Sequence, residues 1–396
     1  MRSVVLIACI GTLVASAQEW VQLPDFPGMA RDDAASFTID GTIYVGTGMD
    51  VGFQYTSDWY AYDTTNDSWG SIASLPASAR QYSAAFTLDD KGYLFGGTDA
   101  NGPLNDLWMY DPGLDEWTAL TSLPDQGRYA STAFVLNGFA YVHGGIRSDG
   151  TTTEELWLYS PGSASWTLLD FPLFQPLPQL HRSTIVQDAG FSILVGGMNW
   201  QDEPSAATFL HTYNGHEFIG HASMPAPRFG ARGAANVLIG GATSFTQEHD
   251  DVWAFHVQFG WDQGSLPPFA GGPRRGGIAA AVPAGDMNDV YFGLGLHNGE
   301  RYHDWWKLSV PVGIDEIHGA TLRLHPNPAS TYIELVLPAQ ESRVKYVICD
   351  AIGKQVKEGN IMDHKQVDIT ALLPGRYTMV VFLKDRPFHA PFIKLP

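Results

Sequence analysis

Arg80, Ser83-Ala-Ala-Phe-Thr-Leu88, Tyr93-Leu-Phe-Gly96-Gly97, Asp106-Leu-Trp-Met-Tyr110-Asp111, Glu116-Trp117 and Leu123-Pro124 follow one another in a single stretch of this chain. The next stretch repeats the series as Arg128, Tyr141-Val-His-Gly144-Gly145, Glu155-Leu-Trp-Leu-Tyr159 and Trp166. Short runs rich in β-branched and aromatic residues, each closed by Gly, Pro or Asp, read as strands joined by tight turns. Working outward, arginines fall at 31, 80, 128, 182, 228 and 274, spaced 49, 48, 54, 46 and 46 residues apart. Glycine pairs or near-pairs fall at Gly46/Gly48, Gly96/Gly97, Gly144/Gly145, Gly196/Gly197, Gly240/Gly241 and Gly293/Gly295. The aromatic after each third strand is Trp69, Trp117, Trp166, Phe218 and Trp261. Five full units therefore run in order, and a sixth, Arg274 to Leu308, lacks its closing tryptophan segment.

Self-similarity at such a period marks one supersecondary unit per repeat, each unable to bury its apolar faces alone. On these landmarks residues 18–310 resemble the kelch-repeat family, whose unit forms one four-stranded blade of a β-propeller. Glu19-Trp20-Val21-Gln22-Leu23-Pro24 matches the segment missing from the sixth unit. The expected fold is all-β: a six-bladed kelch propeller in which the N-terminal strand completes the last blade, so that no sheet edge is left to template aggregation. Small residues at Ala34-Ala35, Ala84-Ala85, Ala234-Ala235 and Ala279-Ala280-Ala281 suit inner strands around a narrow channel. Irregularity is expected in the fourth unit, with Phe218 for tryptophan and Phe209 in place of an acid, and in the fifth, with its shortened first hairpin.

The chain has 396 residues, 23 basic and 42 acidic, for a net charge of −19, which sets repulsion against any polyphosphate and excludes nucleic acid as an expected partner. With 44% hydrophobic and only 16% charged residues it is no disordered acidic tail. Arg2, the apolar run Val4 to Val14 and Ala15-Ser16-Ala17 read as a signal peptide over residues 1–17, with Gln18 as the first mature residue. Cys9 would leave with it, and Cys349 would stay without a disulfide partner in an oxidising compartment. No later run reaches the length that spans a bilayer, so a transmembrane segment is not expected.

Residues 311–320 read as a linker and 321–396 as a small β-sandwich, with alternating strands at Thr331–Leu337, Val344–Asp350 and Tyr377–Leu383. Charge divides at the same place: residues 18–310 hold 12 basic and 33 acidic residues, residues 311–396 hold 10 and 9. Pro326-Asn327-Pro328, Gly353-Lys354, Gly375-Arg-Tyr377 and the closing Lys394 occur in the order found in the C-terminal sorting domain of the bacterial type IX secretion system, which this segment resembles. That resemblance implies the type IX machinery as a partner, passage across the outer membrane and a final place in the medium or on the cell surface.

Propellers take ligands at the channel mouth. Arg31, Arg80, Arg128, Arg182, Arg228 and Arg274 precede the inner strands, with Tyr82, Tyr129, His181 and Phe229 beside them; counting Arg275, seven of the twelve basic residues occupy this repeat position. Facing inward they would make a cationic ring for a carboxylate or an acidic peptide. A structural alternative pairs them between repeats with Asp58, Asp106, Glu155, Asp251 and Asp304. Phe209 at the corresponding place in the fourth unit singles out Arg182, beside His181, as the arginine free to bind. No metal cage or cofactor motif stands out, since the histidines lack H-x-H or H-E-x-x-H companions. The S-x-D-x-G-x-T-W boxes of sialidases are missing, and so is the cysteine that kelch-type copper oxidases need in the propeller. The expected function is a non-catalytic protein- or carbohydrate-binding module on an exported propeller. Its alternative is a sugar-acid epimerase similar to the kelch-type sialic acid epimerases.

Overall fold

In a computed structural model the described residues are 18–136, 138–169, 177–188, 191–212, 217–257, 260–311, 323–336, 344–350, 355–361, 366–383 and 386–395. The expected signal peptide (1–17), most of the expected linker, and Gly353 and Lys354 lie outside them.

Five-residue runs that alternate buried and half-buried side chains pair into antiparallel hairpins, and hairpins pair into six four-stranded sheets among the described residues of 18–311. The first holds Ala35–Ile39, Thr42–Gly46, Trp59–Asp63 and Ser68–Ile72 in that order. The second to fifth repeat this arrangement, starting from Ala84–Leu88, Thr132–Leu136, Thr184–Asp188 and Arg232–Ala234. The fifth begins with three-residue strands, Arg232–Ala234 and Val237–Ile239, where the first four have five. The sixth joins Ile278–Ala284, Met287–Gly293 and Trp305–Pro311 to Val21–Leu23 from the N-terminus. That strand zips on antiparallel, Val21 opposite Lys307 and Leu23 opposite Trp305. Trp20 beside it is buried edge-on against Phe269 at 5.1 Å.

The core lies between the faces of neighbouring sheets. Phe86 and Tyr93 of the second sheet share one cluster with Trp157 and Tyr159 of the third, and Tyr62 of the first shares another with Tyr291 and Trp305 of the sixth. Outer-strand tryptophans tie each sheet to the one before: Trp69 Nε1 donates to Pro24 O at 3.0 Å, Trp117 to Ala73 O at 2.9 Å and Trp166 to Thr121 O at 2.9 Å. The glycine pairs mark the turn that leaves each second strand. Gly96 and Gly97 sit at φ +57° and +92°, and a Cβ at Gly97 would lie 2.4 Å from Ser83 Oγ and 2.7 Å from Gln81 O, so no side chain fits.

The C-terminal strands form a three-stranded sheet (Arg323–His325, Tyr332–Val336, Gln366–Asp368) and a four-stranded one (Gln355–Ile361, Val344–Asp350, Gly375–Leu383, Arg386–Lys394). One cluster containing Ile333, Leu335, Ile348, Met379 and Phe392 fills the space between them as a small β-sandwich. Among the described residues no helix is long and apolar enough to cross a membrane.

Candidate functional site

The repeat arginines occupy two different kinds of place. Arg31, Arg80, Arg128, Arg228 and Arg274 are each no more than 3% exposed, and each meets the acid that opens the third strand of its own unit. Arg31 grips Asp58 through two bonds of 2.7 and 2.9 Å, and Arg80 grips Asp106 in the same way. Arg128 bonds Glu155 at 3.0 Å and also Asp125, Arg228 bonds Asp251 at 2.6 Å, and Arg274 bonds Asp304 at 3.0 Å. A buried guanidinium is tolerable only with its charge matched and its donors used. These five are therefore placed as scaffold, paired within units rather than between them, and they form no ring of free cations at the mouth.

Arg182 is not the sixth member of that set. The N–H groups of Gly48, Gly97, Gly145, Gly197, Gly241 and Gly295 donate to the carbonyls of Arg80, Arg128, Leu180, Arg228, Arg274 and Arg31. Leu180 thus stands at the repeat position, and Arg182 lies two residues on. The acid is displaced likewise: Thr47, Gly96, Gly144, Gly196, Gly240 and Leu294 donate to Asp58, Asp106, Glu155, Ala207, Asp251 and Asp304. The counterpart of the acid is Ala207 and not Phe209. Unit four has lost both halves of the ion pair together, which leaves no unmatched charge.

Two residues beyond each repeat position, Leu180 included, stand Asp33, Tyr82, Ala130, Arg182, Gly230 and Gly276, all in the left-handed region at φ between 49° and 62°. Each N–H donates to the carbonyl of its predecessor: Tyr82 to Asp33, Ala130 to Tyr82, Arg182 to Ala130, Gly230 to Arg182, Gly276 to Gly230 and Asp33 to Gly276, at 2.8 to 3.2 Å. The ring of hydrogen bonds returns to its starting residue around the axis. Left-handed conformation costs Asp, Tyr and Arg energy that it does not cost glycine, and such strain concentrates where side chains have work to do. Three of the six ring positions carry these functional side chains.

A cavity of about 200 Å³ opens at this ring, lined by the starts of the inner strands of all six units. Its walls are small or hydroxylated, with Ser36, Ser83, Ser131, Thr132, Ser183 and Thr184 among them. Its charged residues are Asp33, Arg182 and Arg232. Arg232 is neutralised by Asp33 at 3.1 Å. Arg182 donates to Tyr82 Oη at 3.4 Å and to His181 Nδ1 at 3.4 Å, lies over the Tyr82 ring at 5.0 Å, and has no carboxylate at ion-pair distance among the described residues. Tyr129 stacks obliquely on Tyr82 at 5.8 Å, and burial raises the Tyr82 phenol well above its ordinary pKa.

His181 is fully buried, with Nε2 3.1 Å from Asp202 Oδ1. Because Nδ1 accepts from Arg182, Nε2 carries the proton and donates to Asp202. Burial, and then the Arg182 charge, lower its pKa to about 4, so the imidazole is neutral at pH 7. Phe229 is buried against Met198 and Ala242. Two further charged pairs flank the mouth and escape sequence reading. Asp32 meets Arg301 at 2.6 Å, its carboxyl pushed up to about 6 by burial and by neighbouring Asp33, and Glu248 meets Arg275 at 3.0 Å. Asp33 and Arg232 were missed as well. Aligning the residue two places after each arginine would have grouped Asp33 with Tyr82. Among the described residues no three His, Cys, Asp or Glu side chains converge as a metal site.

In the C-terminal domain Pro326, Asn327 and Pro328 form an exposed bend whose Asn327 Oδ1 accepts from Ile393 N at 3.0 Å. Gly375 begins a strand, Tyr377 Oη donates to Leu373 O at 2.8 Å, and Lys394 Nζ turns back on Leu395 O.

The fold class these features define is a kelch-type β-propeller followed by a secretion domain. A profile described as the KLHDC2/KLHL20/DRC7 Kelch-repeats domain matches residues 12–197, and one described as the Secretion system C-terminal sorting domain matches residues 323–386. The chain is thus a kelch-repeat protein bearing a type IX sorting domain, which directs it to the cell surface or the extracellular space. Among solved structures it is similar to one titled "Structure of YjhT", with a TM-score of 0.60 at 18% identity over 72% of this chain and 95% of that one. No curated protein matches it.

Proposed function

We propose that this exported propeller is a binding module that holds a carboxylate-bearing ligand, part of a glycan or a protein, at the channel mouth. The single observation that supports it is Arg182: a half-buried cation at a strained ring position, facing a polar cavity, whose side-chain hydrogen-bond partners among the described residues are a phenol, a neutral imidazole and a thioether. An arginine fork so placed is suited to a carboxylate, with the Tyr82 ring in the cavity wall to pack against the group that carries it. Contacts among Tyr82, Tyr129, His181 and Arg182 support this reading, whereas Phe229 packs on Met198 and Ala242 and the other five arginines are paired with acids.

A second reading, epimerisation of a sugar acid, draws on the neutral His181 beside Arg182, since an imidazole held below its ordinary pKa is able to accept a proton. Calorimetric titration with glucuronate and with glucose tests the binding proposal. Glucuronate is expected to bind and glucose not to, and Arg182→Gln to abolish the difference; equal behaviour of the two sugars refutes it. Following anomer interconversion of N-acetylneuraminate by NMR separates the two readings, because a binding module leaves the rate unchanged.

A further inference from the structure

Three large aromatic side chains stand open to solvent on the hairpin tips of this face: Phe53 (70% exposed), Trp200 (65%) and Phe245 (55%). Each belongs to a hairpin that is tied, directly or through one side chain, to the residue preceding a member of the hydrogen-bonded ring. Phe53 lies over the Arg301 guanidinium at 4.6 Å, and Arg301 holds Asp32, which precedes Asp33. Trp200 belongs to the hairpin whose Asp202 accepts from His181, which precedes Arg182. Phe245 packs on Phe229 at 5.1 Å, and Phe229 precedes Gly230. The three aromatics therefore stand on the hairpins of units one, four and five that lead into the ring.

Resting on the binding reading above, we infer that the ligand is a glycan with one acidic terminal sugar on a neutral chain: the terminal carboxylate enters the cavity to Arg182, and the following sugars lie against the exposed rings. The charge pattern selects this class. Among the described residues the mouth offers one cation without a carboxylate at ion-pair distance, Arg182, the cations around it being held by Asp33, Asp32 and Glu248. Residues 18–310 hold 12 basic against 33 acidic residues, so a chain with a charge on every unit meets repulsion as soon as it leaves the cavity. Hydroxyl-bearing walls suit a polyhydroxylated ring, and a 200 Å³ space admits about one such ring. Three separate flat platforms, in place of one continuous apolar patch, suit sugar rings taken one at a time, and large rigid aromatics give contact area at little entropic cost.

Titration of the full chain with glucuronate and with glucuronosyl-xylobiose tests the inference. The trisaccharide is expected to bind about tenfold more tightly than the monosaccharide. Trp200→Ala combined with Phe53→Ala and Phe245→Ala is expected to remove that gain and leave glucuronate binding intact, while Arg182→Gln removes both. Glucuronate binding with no gain from the longer chain, or a gain that survives in the triple variant, overturns the inference and leaves the carboxylate reading standing. Failure of both sugars to bind overturns both. A neutral peptide ending in a free carboxylate that shows the tip-dependent gain, where the trisaccharide does not, assigns the tips to a protein partner and overturns the glycan.

Discussion

Arg232 and Asp33, 199 residues apart in the chain, meet at the channel mouth with Nη2 and Oδ1 3.1 Å apart. Arg232 Nε also donates to Gly277 O at 2.8 Å, so one side chain links the fifth, sixth and first units. Asp33 is 5% exposed and is the ring residue whose charge is opposite to that of Arg182. By neutralising it, Arg232 keeps the field of the cavity positive.

Arg232→Ala is accordingly expected to weaken glucuronate binding about tenfold, since a carboxylate then faces the cavity unmatched. It should also cost stability, because removing one partner of a buried pair leaves the other uncompensated. Asp33→Asn in the same background should restore affinity. Calorimetry on the single and double variants decides it, and undiminished affinity in Arg232→Ala removes Asp33 from the account.

Arg80 and Arg182 should separate stability from binding. Arg80 is 1% exposed and doubly bonded to Asp106, so Arg80→Ala is expected to cost about 3 kcal/mol and lower the melting temperature by several degrees. Arg182 makes long bonds and no ion pair among the described residues at a partly buried position, and Arg182→Ala is expected to cost less than about 1 kcal/mol while abolishing carboxylate binding. Equal melting shifts for the two would erase the division into scaffold and site.

How far the sequence discloses this arrangement depends on what kind of physics each residue answers to. Gly97 is legible because a Cβ at its positive φ would run into Ser83 and Gln81, and Trp69, Trp117 and Trp166 because one indole bond recurs between successive sheets. Trp20 is legible as the missing outer-strand tryptophan of the sixth unit, and Val21–Leu23 do pair there. The site is less legible because alignment by residue type placed Arg182 with the scaffold arginines, whereas its backbone bonds place it two residues later. The gap of 54 residues before it carried the clue, for Leu180 divides the same span into 52 and 48. Asp33, Arg232 and Arg301 stayed hidden because their pairings cross between units and have no period to betray them.

Leu180 and Ala207 should behave as a coupled pair. Leu180→Arg alone places a guanidinium in the buried repeat position without an acid, and Ala207→Asp alone supplies an acid without an arginine. Leu180→Arg is expected to cost about 3 kcal/mol, Ala207→Asp less because its position is only partly buried, and the double variant to recover most of the loss as the ion pair of the other five units forms. Additive losses in a double-mutant cycle would mean that the fourth unit has repacked around the leucine and no longer has room for the pair.

Acid should unfold the propeller in a particular window. His143 and His181 are wholly buried, and burial lowers both to a pKa of about 4 from an ordinary 6.5, with the Arg182 charge adding to the effect on His181. Between pH 6.5 and 4 the unfolded chain takes up a proton at each imidazole that the folded chain refuses. The stability from this source is therefore complete above pH 6.5 and drains away as pH falls to 4. Asp32 acts in the opposite sense: raised to about 6 from 3.8, chiefly by burial, it keeps a proton when folded that it loses when unfolded, so its contribution declines as pH rises through that range. Near pH 5 these three groups leave a net uptake of about one proton on unfolding, a slope of about 1.4 kcal/mol per pH unit. Melting temperature is expected to fall steadily between pH 6.5 and 4.5, and Asp32→Asn to steepen the fall by removing the opposing titration. Thermal melts across that range read the slope directly, and an Asp32→Asn profile parallel to the parent's would show that this carboxyl titrates no differently in the folded chain than in the unfolded one.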